Sequence, residues 1–302
     1  MQNLLAQFAR GYAMGMADLV PGVSGGTIAL VLGIYRRLVA SIRSGAGALG
    51  SLIRLDVGGF VGRLRQVEWS FLLPLVAGIG ASVVTLSHLI EDLLQDHPIR
   101  MAGLFFGLVV ASIVVAWRMV QRRDPTRSAV LVGVALVTFW LLGYTAGTVE
   151  DPTWWMFFGA GAIAICAMIL PGISGSFLLL MMGMYAPVLG AVNDRRMITL
   201  AIFVGGIVIG LASFSTLLNM LLDRYYDTVM AALVGLMVGS LRVLWPWPDG
   251  TAGTDLAAPS DDIVGPFLLA LVGAVVVLAV TRREGALAEQ AEAGGEAAEA
   301  RS

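Results

Sequence analysis

The sequence predicts an all-α integral membrane protein. It is an inverted-topology repeat, with two re-entrant, broken-helix hairpins and about six transmembrane helices. Three observations predict it. Of 302 residues, 58% are hydrophobic and only 13% charged, whereas soluble domains carry about a quarter charged residues. Apolar stretches near the roughly 20 residues needed to cross hydrocarbon recur along the chain. One interrupted segment, ADLVPGVSGGTIALVLGIY from Ala17 to Tyr35, returns as AMILPGISGSFLLLMMGMY from Ala167 to Tyr185.

An offset of 150 relates Pro21 to Pro171, Gly22 to Gly172, Ser24 to Ser174, Gly25 to Gly175, Gly33 to Gly183 and Tyr35 to Tyr185. Further along, the pairs Gly78/Gly206, Ser87/Ser215, Gly107/Gly235 and Ser112/Ser240 share an offset of 128. The offset falls by 22, so the first half carries 22 extra residues between its motif and its next element. The first half, 1–128, reads as a hairpin at 4–38, a basic loop at 39–70 with Arg43, Arg54, Arg63 and Arg65, and helices at 71–90 and 99–117. A connecting transmembrane helix at 129–147 leads to the second half, 148–245, with a hairpin at 154–190 and helices at 200–222 and 228–245. A last span at 263–281 precedes an Ala-, Glu- and Gly-rich stretch, 284–302, that reads as a disordered tail.

Each motif has arms shorter than a full span, which favours a hairpin that enters and leaves by one face. Charge supports this. With the basic 39–70 loop in the cytoplasm, Arg118, Arg122, Arg123, Arg127, Arg282 and Arg283 also fall inside, while Glu150, Asp151 and the 246–262 loop fall outside. Only Arg195 and Arg196 oppose the assignment. Both termini are then cytoplasmic. Three crossings separate the hairpins, so they enter from opposite faces, as in secondary transporters with midplane sites. Trp154, Trp155, Trp245 and Trp247 read as an outer aromatic belt. No basic segment precedes the first apolar arm, so no cleavable signal is expected.

The breaks carry the chemistry. Pro21 lacks an amide proton and disfavours helix at Val20. Gly22 permits a turn that a side chain would obstruct. Ser24 is then placed to cap a helix beginning at Gly25 or Gly26, leaving the amides of Gly26 and Thr27 facing the gap. Pro171, Gly172, Ser174, Gly175 and Ser176 repeat the pattern. Helix N-termini carry free donors and fractional positive charge, and they bind phosphates. Two of them meeting at mid-membrane would form a pseudo-symmetric anion cradle. Small residues also serve close helix packing, which accounts for Gly11 and Gly15 but not for two matched prolines and two matched serines.

Asp18 lies one turn before the first break, and Met168 stands at its place in the second. It reads either as a proton-coupling group or as a structural acceptor for amides at the turn. Arg10 is placed to approach a head group or to snorkel. His88 and Glu91 lie one turn apart, matched at an offset of 128 by Thr216 and Asn219, and suggest a path lining or ordinary packing. Arg100 and Arg242 are placed near the outer face as collectors of anionic head groups, and Arg242 reads equally as an interfacial anchor.

Other classes fit less well. The single Cys166 excludes a disulfide framework and a cysteine metal cluster. All 19 basic residues are arginine, which excludes a Schiff-base or P-loop lysine. A net charge of -2 argues against nucleic acid. No cofactor is implied. Gly22-Val23-Ser24-Gly25 fits the GxSG pattern of rhomboid-type intramembrane serine proteases, but Ser174 repeats the setting with no second membrane histidine to serve as base. A lipid phosphatase would need paired histidines and several basic residues that the sequence does not provide.

The paired motif, ADLVPGVSGGTIALVLGIY with MILPGISGSFLLLMMGMY, resembles the signature of the bacterial polyprenyl-phosphate transporter family across about residues 4–245. The resemblance implies a flippase that returns undecaprenyl phosphate, the lipid carrier of cell-wall synthesis, across the cytoplasmic membrane. It carries over Pro21, Gly22, Ser24, Gly25 and Gly26 with Pro171, Gly172, Ser174, Gly175 and Ser176 as the substrate contacts. It departs from the pattern at Met168. From the residues alone, a transporter of a small carboxylate, phosphate or another phospholipid is equally open, because a helix N-terminus accepts any of these.

Overall fold

A computed structural model of the chain describes residues 4–20, 22–53, 56–144, 146–250, 255–260 and 262–299. Its thirteen described elements are all α-helices. The first half holds α1 (Leu4–Asp18), α2 (Gly25–Val31), α3 (Tyr35–Ile53), α4 (Val57–Gln66), α5 (Trp69–Asp96), α6 (Pro98–Met119) and α7 (Pro125–Leu141). The second holds α8 (Trp154–Ile169), α9 (Gly175–Met181), α10 (Tyr185–Asn193), α11 (Met197–Arg224), α12 (Tyr226–Ser240) and α13 (Val264–Glu299). By length and composition α5, α6, α11 and the Val264–Gly285 part of α13 can cross a membrane. A fifth span arises if α9 and α10, bent by 109°, count as one.

The order of elements follows the repeat, with four departures. The 39–70 segment, expected as a loop, is largely a helical pair, α3 and α4. Asp56 caps α4 by accepting from the Gly59 amide at 2.8 Å, and Arg63 and Arg65 lie in its last turn, where the helix dipole favours them. The tail, expected to be disordered, continues α13 through Glu299, since alanine and glutamate are both strong helix formers. Helices α7 and α12 are shorter than the spans expected at 129–147 and 228–245, with 17 and 15 residues. α12 stops at Ser240 because the chain turns there to wedge Val243 and Leu244 against Gly22. Trp247 belongs to no belt. It is buried, stacks edgewise on Trp245, and donates to the Ser260 carbonyl at 3.1 Å.

Four close helix pairs build the structure: α1 on α5, α8 on α11, α6 on α13 and α12 on α7. Glycines make each contact possible, because no Cβ stands between the backbones. Gly11 meets Leu75 backbone and Gly78 meets Phe8, whereas Gly161 meets Phe203 and Gly206 meets Phe158. These two pairs each lie within one half, and the other two join the halves. α7 follows α6 in the chain but docks on α12, where a Cβ on Gly235 would stand 2.5 Å from the Leu131 carbonyl oxygen. α13 follows α12 but docks on α6, where a Cβ on Gly103 would stand 2.5 Å from the Pro266 carbonyl oxygen and Gly107 meets Ala270 backbone. The halves are therefore interlocked.

The contacts also fix the sense of each hairpin. The residue pairs along α1 and α5 show parallel helices, as do those along α8 and α11. The C-terminus of α5 adjoins Arg100 at the start of α6, whereas the far end of α6 meets the start of α12 through Gln121 N–H donating to Asp227 at 2.8 Å. α5 and α11 thus end at opposite faces, and α1 and α8 enter from opposite faces. The first hairpin returns to its own face, since Arg37 at the start of α3 pairs with Glu68 just before α5. The second returns likewise: the amides of Ala146 and Val149, ahead of α8, donate to Met181 and Gly183 at the end of α9. We call these the Glu68 face and the Arg100 face.

Candidate functional site at the paired helix breaks

Both breaks use the same local chemistry. Gly22 and Gly172 have φ of +83° and +86°, in the left-handed region where side chains are strained. Their surroundings tighten the requirement, because a Cβ on Gly172 would stand 2.8 Å from Met237 Cα. Pro21 lies outside the described residues; Pro171 occupies the turn of the second break. Ser24 is extended, at φ -134° and ψ 138°, and its hydroxyl accepts from the Gly26 amide at 3.1 Å, the expected cap.

The second break departs from that pattern. Ser174 sits at the same position, yet its hydroxyl makes no capping bond; it pairs with Ser176 Oγ at 2.8 Å. The residue two places on decides this, since Gly26 has no side chain to compete and Ser176 has a hydroxyl. Asp18 adds a second asymmetry. Its Oδ1 accepts from the Gly25 amide at 2.6 Å, so the first tip is filled by a carboxylate of its own chain. Met168 replaces it in the second half, with Cγ about as close to Gly175 as the Asp18 carboxylate is to Gly25. The symmetric cradle expected from the sequence is therefore two unlike tips. The first is wholly buried, and the second has Ser176 exposed.

The tips touch at the centre of the molecule. Thr27 Oγ1 accepts from the Gly172 amide at 2.9 Å, Ser24 Oγ donates to the Met168 carbonyl at 3.3 Å, and Tyr35 donates to the Ile169 carbonyl at 3.1 Å. Tyr35 closes the repeated motif but carries no role in the sequence reading; its bond across the halves needs residues 134 positions apart. Both hydrogen-bond partners of Ser24 are backbone groups, and His88 is exposed on α5, so among the described residues no histidine bonds this hydroxyl.

Beside the open tip lies an apolar groove of about 910 Å³ between α7, α9 and α12, lined by Val137, Leu141, Ile173, Leu178, Met181 and Leu236. It opens sideways, where Val137, Trp140 and Tyr144 are exposed. Its signal in the sequence is the apolar spacing of Val134, Val137 and Leu141 along one face of α7.

The model of one known family matches residues 14–261, which include both breaks, and its description is undecaprenyl phosphate translocase-like. The chain belongs to the undecaprenyl phosphate translocase-like family. It is 45% identical over 247 residues to a polyprenyl-phosphate transporter of Vibrio cholerae, covering 82% of this chain and 79% of that one. It is also 32% identical over 255 residues to a polyprenyl-phosphate transporter of Staphylococcus aureus, covering 78% and 84%. No solved structure matches it. With its apolar helices, this member of the translocase-like family is a multi-pass membrane protein.

Apart from Asp18, the charged and polar residues singled out beyond the breaks stand away from the tips. Arg10 pairs with Glu284 and donates to Gln7 at 3.3 Å. Glu91 accepts from Gln95 at 3.4 Å, and Asn219 donates to Asp223 at 2.9 Å. Arg242 stacks over the Phe139 ring at 4.8 Å. Arg100 donates to Asp262 at 2.5 Å, so this member of the family has already neutralised the cation expected to collect anions. The Arg100 guanidinium, with the Gly265 amide, holds the Asp262 carboxyl below its ordinary value of 3.8. A carboxylate with a depressed value contributes stability above its unfolded-state value, and that contribution is lost as pH falls through the folded-state value. Asp262→Asn is thus expected to lower Tm at neutral pH and to leave it unchanged in acid well below 3.8. A Tm difference that stays constant across the pH series would remove this ion pair from the stability of the Arg100 face.

Proposed function

We propose that this protein is a transporter that moves undecaprenyl phosphate, or another polyprenyl phosphate, between the leaflets of the bacterial cytoplasmic membrane. The lipid carrier would so return for reuse in cell-wall synthesis. The observation that carries the reading is the lateral apolar groove that reaches Ile173 within the second break. A soluble anion needs a wet, laterally sealed vestibule; an isoprenoid chain needs apolar walls reached from lipid. The family and both named relatives support the same substrate.

In this reading the phosphate head meets the backbone donors of Gly175 and Ser176 and the hydroxyls of Ser174 and Ser176, with Gly172 held in its turn by Thr27, while the tail occupies the groove or stays in lipid. Gly22, Ser24, Gly25, Gly26 and Thr27, after Pro21, supply the matching contacts from the other side. There the head must take the place of the Asp18 carboxylate at the Gly25 amide, and two anions do not share one donor. Protonation of Asp18 would release that amide, which couples head-group transfer to protons. The Glu68 face gathers Arg36, Arg37, Arg122, Arg123, Arg282 and Arg283, and we assign it and both termini to the cytoplasm. The groove reaches Leu142 and Ala146 near the Arg100 face, so the chain stands ready to receive carrier from the outer leaflet.

The test is leaflet exchange of a polyprenyl phosphate in proteoliposomes. Wild type is expected to exchange it, and Ser24→Ala combined with Ser174→Ala to reduce the rate at least about tenfold, the loss of about 1.4 kcal/mol of head-group binding. Exchange that is undiminished in the double variant would overturn the tips as the phosphate path. Absence of exchange by folded wild type would overturn the lipid and point to soluble anions.

A further inference from the structure

We propose that a second phosphate-binding site lies on the Glu68 face, in the cavity of about 520 Å³ between α3, α4 and α11. Its polar lining comprises Arg43, Ser44, Arg63, Gln66 and Asn219. The ligand class is a phosphate group, either the monoester head of a lipid or free phosphate.

The charge balance around the cavity carries the inference. Among the described residues, two nearby carboxylates have cationic partners elsewhere, Asp223 on Arg36 at 3.1 Å and Glu68 on Arg37, and the Asp56 carboxylate caps α4 through the Gly59 amide at 2.8 Å. The two arginines of the cavity are not matched by acids. Arg63 donates to the Gly47 carbonyl at 2.9 Å, which orients its guanidinium without neutralising it. Arg43 makes no ion pair among the described residues. Ser44 donates to the Ala40 carbonyl at 3.1 Å and Asn219 to Asp223, so the donors left to a ligand are the two guanidinium groups, with the Gln66 amide beside them. Guanidinium forks bind phosphate oxygens through paired hydrogen bonds.

The cavity depends on a helix that only the first half has among the described residues. α4 is made from the 22 residues that the first half has in excess, and α10, at the place of α3, has only nine residues. The repeat alone gives a protein with equivalent faces, and this insertion makes them different. On the transport reading, on which the source of the phosphate rests, the cavity is a landing place for the head group as it leaves or enters the tips on that face.

The test uses the full chain in phosphatidylcholine vesicles and measures, arginine by arginine with mass spectrometry, the rate of modification by phenylglyoxal. Polyprenyl phosphate is added at about ten times its apparent Kd, where a bound site is shielded about tenfold. Arg43 and Arg63 are expected to slow by that factor, and Arg65, on α4 but outside the cavity, to keep its rate. Polyprenol, with the same chain and no phosphate, should protect neither. Inorganic phosphate protecting as well as the lipid would assign the site to the free ion. Equal behaviour of Arg43 and Arg65, or protection by polyprenol, would overturn the site. The Ser24→Ala, Ser174→Ala protein should retain the protection; loss there would mean that the shielding comes from the tips. Leaflet exchange read on the same vesicles reports the transport reading separately.

Discussion

Leucine at Gly78, or at its counterpart Gly206, is expected to destabilise the protein by about 3 kcal/mol or more and to undock one hairpin. A Cβ at Gly78 would collide with the Phe8 carbonyl and stand 2.7 Å from the Tyr12 amide nitrogen. At Gly206 it would collide with the Phe158 carbonyl. These obstacles are backbone atoms of packed helices, so no rotamer change relieves them, and the helix pair must separate. The consequence reaches the site because α1 holds Asp18 and α8 holds Met168. Gly80 and Gly205 provide the control. Each is two or one residues from the contact, and nothing lies within 4 Å of a Cβ built on either. Thermal unfolding in detergent should separate Gly78→Leu and Gly206→Leu from Gly80→Leu and Gly205→Leu. A common small shift in all four variants would show that these helix pairs do not depend on close backbone approach.

The second large effect is expected at Asp18. Alanine leaves the Gly25 amide buried with no acceptor, at a cost of about 1–3 kcal/mol. Asparagine keeps an oxygen within reach of the amide that now lies 2.6 Å from Oδ1, so the order of stability should be wild type, then Asp18→Asn, then Asp18→Ala. Transport divides the same variants differently. If protonation of Asp18 frees the amide for phosphate, Asp18→Asn should exchange polyprenyl phosphate at a rate that no longer responds to an imposed pH gradient. A variant that keeps the response takes Asp18 out of the coupling and leaves it as a cap. Met168→Asp extends the test. It places a carboxylate over Gly175, so it should close the second tip as the first is closed and slow exchange from the Arg100 face.

The two halves were legible in the sequence because they repeat local instructions. A proline, a glycine that tolerates positive φ, and a serine at the capping position act within a few residues of themselves. Their offsets of 150 and 128 were therefore enough to place both breaks, and the opposed entry of the hairpins followed from charge and from the count of crossings. What the sequence obscured was competition. Ser174 and Ser24 occupy equivalent positions, but the hydroxyl of Ser176 takes the bond that Gly26 leaves free for Ser24. Asp18 had two readings of equal chemical sense, and the 2.6 Å bond to Gly25 selects the acceptor role in this conformation. Arg100 and Arg242 looked like free cations, since nothing local announces that Asp262, 162 residues away, or the Phe139 ring will hold them.

By itself, then, the sequence determined the membrane class, the repeat, the two breaks and the residues that form them. All of these are set by hydropathy and by backbone preferences acting over one or two turns. Only the tertiary structure decided that α7 docks on α12 and α13 on α6, that one tip is sealed by its own carboxylate, and that a lateral apolar groove meets the other. Those outcomes depend on which remote backbone fits against a glycine such as Gly107 or Gly235. The small residue that permits a close approach does not name the helix that will make it.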